Sequence, residues 1–312
     1  MTVLPPDHKA SARTSVCNVV TSRAALREAL AGLRQSGVHG ARADVVKTSI
    51  GLVPTMGALH AGHLSLVEAS RRECDFTVVT IFVNPTQFGP HEDFQMYPRT
   101  LESDLAQLGP LGVDLVFAPS VEEVYRPGHA TYLEMAGVTE PLEGHSRPDH
   151  FRGVATVVLK LFNMTTPDVA FFGQKDYQQS LTIRRLVEDL DLNVRIRVCP
   201  IVREPDGLAL SSRNVYLSFE GRRQALALVR SLMLACDVFN SGERGAATIV
   251  ARMRESLAAT PDVQLEYVTV ADANTLAEVQ QVDDRTVALV AARVGNVRLI
   301  DNCFLGERPA TN

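Results

Sequence analysis

The chain has 312 residues, enough for one large or two ordinary domains, each with its own core. Hydrophobic residues make up 46% and charged residues 21%, which is the profile of a soluble globular protein and excludes a disordered or fibrous chain. The net charge of −5 argues against a broad nucleic-acid or anionic-membrane surface and leaves room only for a local basic pocket.

Residues 1–16 read as a flexible tail. Ser22 is placed to cap a helix that carries Leu26, Leu30 and Leu33 on one face. Residues 36–47 are polar and glycine-bearing and read as a loop insertion. Ile50 to Val53 is the first expected strand. Leu64, Leu66, Val67 and Ser70 then set the stripe of a helix. Phe76 to Val83 is almost wholly apolar and rich in β-branched residues, as a strand buried on both faces should be. A loop with Pro85, Gly89 and Pro90 follows. Thr100 opens a helix with Leu101, Leu105 and Leu108. Asp114 to Phe117 is a short strand, Val154 to Asn163 a helix, and Asp168 to Phe172 a strand that runs into Gly173. Gln178 to Leu190 is the next helix and Val194 to Val198 the next strand. Strands alternating with helices predict βαβ units and a Rossmann-like, doubly wound parallel sheet of the α/β class. Ligands of such sheets bind beyond the carboxyl ends of the strands.

The pattern changes near Pro200. Two helices, Phe219 to Phe239 and Ala246 to Leu257, precede three strand-like runs at Val263 to Val270, Thr286 to Val294 and Val297 to Ile300. This predicts a smaller α+β unit over 202–312, with the first domain at 1–201. The five cysteines are scattered with no C-x-x-C spacing, so neither a disulfide framework nor a structural zinc site is expected, and a reducing cytoplasm fits best. The first residues lack the apolar stretch of a signal peptide, and no uncharged apolar run approaches the roughly 20 residues of a membrane span.

The chemistry gathers at the strand ends. His60-Ala61-Gly62-His63 follows the first strand and its turn, Met56-Gly57-Ala58-Leu59, and precedes a helix. Two imidazoles and free backbone N–H groups at the positive end of a helix suit a phosphate. The plainer reading is one capping histidine and one surface histidine. A metal site fits less well, for want of an acidic partner at helical spacing. Asn84 and Gln87 follow the most apolar strand, where Asn-Pro is also an ordinary turn signal. Gly173-Gln174-Lys175-Asp176 sits at another strand-to-helix junction, with Gln179 one turn further on. Lys175 supplies a point charge for phosphate, and Asp176 is placed either to accept from ribose hydroxyls or to cap the helix. Ser211-Ser212-Arg213-Asn214 offers two hydroxyls and a guanidinium to a triphosphate tail, or is simply a polar loop. Asp104 is a candidate Mg²⁺ carboxylate, because Mg²⁺ takes one or two carboxylates plus substrate phosphates. Arg147 and Arg152 either close over an anionic substrate or merely cover the surface.

Taken together, these segments resemble a known family. His60-Ala61-Gly62-His63 and Ser211-Ser212-Arg213 resemble the two signatures of the His-x-Gly-His nucleotidyl-transfer superfamily. The set Pro54-Thr55-Met56-Gly57-Ala58-Leu59-His60, Phe82-Val83-Asn84-Pro85-Thr86-Gln87-Phe88, Tyr97-Pro98-Arg99-Thr100, His150-Phe151-Arg152-Gly153-Val154, Phe172 to Gln179 and Leu208 to Asn214 is similar to the pantoate–β-alanine ligase (pantothenate synthetase) family. The likeness runs from about residue 48 to about 302. The tail 1–16 and the insertion 36–47 have no counterpart in its usual compact form, and Gln174 stands where glutamate is common, a change expected to be tolerated.

The resemblance implies an ATP-dependent amide-forming ligase. (R)-pantoate attacks the α-phosphorus of ATP to give pantoyl adenylate, and β-alanine then displaces AMP. It implies that Met56 to His63, Gly173 to Asp176, Val202 and Leu210 to Arg213 line ATP. His60, His63 and Lys175 would be catalytic, with His63 the proton donor, Gln87 and Gln179 would hold pantoate and β-alanine, and Asp104 would contact Mg²⁺. It also implies a homodimer and a lid-like second domain. The rival reading is another His-x-Gly-His nucleotidyltransferase, whose product would keep the nucleotide.

Overall fold

The computed structural model describes residues 17–36, 48–90 and 92–309. The expected tail at 1–16 and all but the first residue of the expected insertion at 36–47 lie outside the described residues.

Six strands, β1 (Val19–Val20), β2 (Ile50–Thr55), β3 (Phe76–Ile81), β4 (Leu115–Phe117), β5 (Val169–Gly173) and β6 (Arg195–Cys199), form one sheet in the order β1-β4-β3-β2-β5-β6. Every pairing in it is parallel. Side chains alternate across the sheet. One face carries Ile50, Leu52, Val78, Leu115 and Phe117, and it is covered by α1 (Arg23–Ser36), α6 (His150–Thr165) and α7 (Tyr177–Asp189). The other face carries Val53, Val79, Val116 and Phe171, and it is covered by α2 (Ala61–Glu73) and α3 (Leu101–Leu108). This is the doubly wound α/β architecture that the alternation of apolar runs predicts. Two one-turn helices, α4 (Val121–Val124) and α5 (Glu143–Ser146), lie between β4 and α6.

A second unit follows. Helices α8 (Phe219–Asn240) and α9 (Ala246–Ala258) pack on one face of an antiparallel sheet of β7 (Val263–Asp272), β8 (Thr286–Val294) and β9 (Val297–Phe304). The other face meets the first unit, where Val287 and Leu289 of β8 pack with Tyr177 and Leu181 of α7. No helix among the described residues is long and apolar enough to cross a membrane.

Several boundaries differ from the sequence reading: β7 and β9 run on to Asp272 and Phe304, past the expected Val270 and Ile300, β3 stops at Ile81 before the expected Val83, and two further differences have a clear cause. Strand β1 was not expected. It is only two residues long and has no pattern of its own, yet its pairing with Val116 and Phe117 closes the sheet edge. Helix α6 starts at His150, four residues before the expected start. His150 and Phe151 are buried, and the His150 ring is bonded to the Gln87 carbonyl, so tertiary contact holds a first turn that polar flanking residues had hidden.

Candidate active site

Strand order reverses at β2, which has β3 on one side and β5 on the other. The crevice beyond the carboxyl ends of β2 and β5 is therefore where a ligand belongs. The chain leaves β2 through Gly57 and Ala58, both left-handed, with φ of 83° and 50°. A left-handed alanine is uncommon, and something must hold it. That something is Asp104. Its carboxylate accepts the backbone N–H groups of Ala58 at 3.1 Å and Leu59 at 2.9 Å, and the Thr100 hydroxyl at 3.3 Å. Asp104 is 1% exposed, lies beneath the turn and lines neither the cavity nor the cleft described below. The expectation that it presents a carboxylate to Mg²⁺ is thus corrected: its oxygens are taken by backbone donors.

The turn delivers His60 as the N-cap of α2. His60 Nδ1 accepts the Gly62 N–H at 3.2 Å, and His63 Nδ1 accepts the His60 N–H at 3.4 Å. The two rings lie 4.1 Å apart. An Nδ1 that accepts from an amide carries no proton, so in each neutral ring the proton sits on Nε2. Burial first, then the charge of Lys175, pushes His60 down to about 4. Burial first, then the neighbouring His60, pushes His63 down to about 3. Both rings are neutral at pH 7, and each keeps one N–H donor. Capping and phosphate binding are therefore not alternatives here, because Nδ1 does the first and Nε2 is left for the second.

Met56, His60, Gly62, His63, Gly173, Lys175, Asp176, Val202 and Leu210 to Arg213 surround a cavity of about 220 Å³, with Gln87 and Gln179 on its wall. A wider cleft of about 1100 Å³ adjoins it and shares Arg147, His150, Lys175, Asp176, Gln179, Ser211 and Arg213. Gly57, Ala58, Leu59, Ala61 and Gln174 line neither space. The first four shape the turn, and the Gln174 amide reaches Asn302 Oδ1 at 3.4 Å instead.

Gln87 is 9% exposed and held on several sides. Its side-chain oxygen accepts from Asn84 Nδ2 at 3.0 Å, and Asn84 Nδ2 also donates to the Gly153 carbonyl at 3.2 Å. The Gln87 carbonyl meets His150 Nδ1 at 2.9 Å. A carbonyl only accepts, so this ring carries its proton on Nδ1, and Nε2 accepts from Arg147 Nη1 at 3.1 Å. Burial first, then Arg147, pushes His150 down to about 4. Of the two arginines read as candidate anion clamps, Arg147 lines the cleft, paired to Glu92 at 2.7 and 2.8 Å. Arg152 lies outside it, beside Glu134 and over the Tyr132 ring.

Polar ties cross between the units at several points, the Tyr177 hydroxyl donating to the Ala273 carbonyl at 2.7 Å among them, and none was foreseen. Arg298 of β9 makes a two-pronged bond to Glu143 of α5 at 2.6 and 2.7 Å, and the Tyr267 hydroxyl donates to the same carboxylate at 2.8 Å. Asn302 Nδ2 donates to the carbonyls of Gln174 and Lys175 at 3.0 and 2.9 Å, which fixes the lysine's backbone. Arg213 binds Asp93 at 3.1 and 2.9 Å.

A doubly wound sheet with a capped histidine turn at its switch point, a lysine turn at the next strand end and a small α+β unit over both defines a nucleotide-binding α/β enzyme of the His-x-Gly-His class. Residues 18–304 match the model of the family described as pantoate-beta-alanine ligase. A pantothenate synthetase of Moorella thermoacetica is 52% identical over 282 residues, covering 90% of this chain and 96% of that protein. One from Roseiflexus castenholzii is 54% identical over 271 residues, covering 87% and 95%. The crystal structure of the Thermus thermophilus enzyme superposes with a TM-score of 0.84 at 45% identity, covering 92% of this chain and 99% of that one. The Francisella tularensis pantoate-beta-alanine ligase, crystallised with beta-gamma ATP and beta-alanine, gives a TM-score of 0.72 at 32% identity, covering 94% and 100%. The chain belongs to the pantoate–β-alanine ligase family.

Proposed function

We propose that this site carries out the family's reaction, the ATP-dependent condensation of (R)-pantoate with β-alanine to pantothenate, in two steps. In the first, a pantoate carboxylate oxygen attacks the α-phosphorus of ATP, the bond to the bridging oxygen breaks, and pyrophosphate leaves. In the second, the β-alanine amine attacks the acyl carbon of pantoyl adenylate, loses a proton, and AMP leaves with the electron pair of the broken acyl–oxygen bond. The arrangement that supports this most directly is the pair of Nε2–H imidazoles beside Lys175 at the switch point.

Such a transfer needs alignment and charge stabilisation more than covalent help. His60 and His63 donate to the α- and β-phosphates as neutral imidazoles, while Lys175 balances charge that develops on their oxygens. Proton donation from His63 requires the nucleotide to raise its affinity for a second proton, which a bound polyanion does. Gln87 and Gln179 hold pantoate, with Gln87 also near β-alanine. The segment Leu210 to Arg213 comes from the second unit, whose boundary we place near residue 201. Covering the adenylate with that unit protects it from water.

Among the described residues no cluster of three or more His, Cys, Asp or Glu side chains could hold a metal. With Asp104 committed beneath the turn, the described residues supply no cage, and Mg²⁺ would enter with the phosphates, where it would neutralise their charge. We further propose that the enzyme works in the cytoplasm as a homodimer, which light scattering of the purified protein tests.

The reaction is tested by pyrophosphate release from ATP. Release should require pantoate, and free AMP should build up in step with pantothenate once β-alanine is added. A product that retains the nucleotide would instead point to a nucleotidyltransferase.

A further inference from the structure

Arg213 is placed to bind the triphosphate, yet its position depends on a residue from the other unit. Asp93 sits in the segment between β3 and α3, and it takes the Nε and Nη2 edge of the guanidinium at 3.1 and 2.9 Å. Tyr97, four residues on, brings its ring to 5.9 Å from the same guanidinium, and its hydroxyl interacts with Ser212. The Arg213 N–H also donates to Ser211 Oγ at 3.3 Å. A guanidinium has five N–H donors in a rigid plane, and a carboxylate on the Nε edge uses two of them. The Nη1 side stays available for a second anion, and Arg213 lines both the cavity and the cleft.

We propose that Asp93 is a positioning residue that aims the Arg213 guanidinium at the phosphate tail of ATP. The inference rests on the reading of Ser211 to Arg213 as part of the ATP site. Two effects of the carboxylate oppose each other. Its charge cancels part of the attraction for phosphate. Its two-pronged bond already fixes a long side chain, so that less freedom is left to be lost when phosphate binds. The Asp93 side chain is 29% exposed, so solvent screens its charge, while the geometric effect is not screened. Positioning therefore outweighs repulsion.

The test is a double-mutant cycle on the full enzyme, read as KM for ATP, KM for pantoate and kcat in pyrophosphate release. Arg213→Ala should raise KM for ATP at least about tenfold. Asp93→Asn should raise it by a smaller factor, about three- to fivefold, with KM for pantoate unchanged. In the Arg213→Ala background Asp93→Asn should add less than about twofold. Asp93→Glu, which keeps the charge and both acceptors, should recover part of the loss. A lower KM for ATP in Asp93→Asn would mean that the carboxylate competes with phosphate, and the proposal is overturned. An unchanged KM with only a lower melting temperature makes the pair structural and also overturns it, as does an Asp93→Asn effect that persists in full without Arg213. If Arg213→Ala itself leaves KM for ATP unchanged, the reading of Arg213 as an ATP ligand fails first and the proposal falls with it.

Discussion

Asp104→Asn separates a carboxylate that supports the turn from one that holds a metal. Asn has almost the same volume, so no cavity opens. It replaces one acceptor oxygen with an NH₂ donor, and that donor must face either the Ala58 or the Leu59 N–H. One hydrogen bond to a charged acceptor is lost and one backbone N–H is left without its partner at a site 1% exposed, a cost of about 2–4 kcal/mol. At about 2–4 °C per kcal/mol for a domain of this size, melting should fall by roughly 4–15 °C. The measurement is a thermal melt in chelator with no nucleotide, so that no metal contributes. Because the turn carries Met56 and His60 into the cavity, kcat/KM for ATP should fall as well, and added Mg²⁺ should not restore it. An unchanged melt in chelator, or activity recovered by raising Mg²⁺, would refute the argument and return Asp104 to the metal.

Further outcomes follow from the same geometry. His63→Ala should fold normally and lose at least about 10²-fold in rate, the scale of one missing phosphate or acid contact, and near-normal turnover would sink its role. His60, His63 and His150, pushed down to about 4, 3 and 4, each bind a proton more weakly folded than unfolded. Unfolding therefore takes up protons below the ordinary histidine value of about 6.5, and stability should rise with pH from about 4 to 6.5 and then level off. Melts at pH 5, 6, 7 and 8 check this, and a flat profile between pH 5 and 7 contradicts it. In Gly153→Ala the new Cβ would lie 2.2 Å from the Thr86 carbonyl oxygen and 2.7 Å from Gln87 Cα. Either the backbone of Gln87 moves or α6 does, so KM for pantoate should rise more than KM for ATP, and equal changes would count against Gln87 as the pantoate ligand. Arg298→Ala strips the Glu143 carboxylate of its charge partner and should cost roughly 3–5 kcal/mol, read by denaturant unfolding. A loss below about 1 kcal/mol would mean that this tie does not hold the units together.

The parallel sheet and its flanking helices were legible because period-2 and period-3.6 apolar patterns are written locally. β1 was not, since two valines carry no period and their strand exists only through β4. The cavity was legible where a residue type and a strand end coincide, as at His60, His63 and Lys175. It was misread where one residue type serves two ends. A carboxylate three residues inside a helix looks the same whether it faces a cation or a row of backbone N–H groups, and only the fold brings Asp104 under Ala58. The insertion at 36–47 and the tail at 1–16 offered no pattern to test.

The ties between the two units were the least legible part, because each joins residues far apart in sequence and no motif announces the pairing. Their burial divides their roles. Val287 and Leu289 against Tyr177 and Leu181, Arg298 with Glu143, and Asn302 on the Lys175 backbone are all largely shielded from water. Breaking any of them exposes apolar surface or leaves a buried polar group unpaired, so they hold the two units in the arrangement seen here. The Arg213–Asp93 pair differs. Its side chains are 31% and 29% exposed, so its own contribution to stability is small. A contact that stabilises little yet holds a cavity-lining guanidinium in a two-pronged grip is better explained by what it presents to the cavity than by what it adds to the fold.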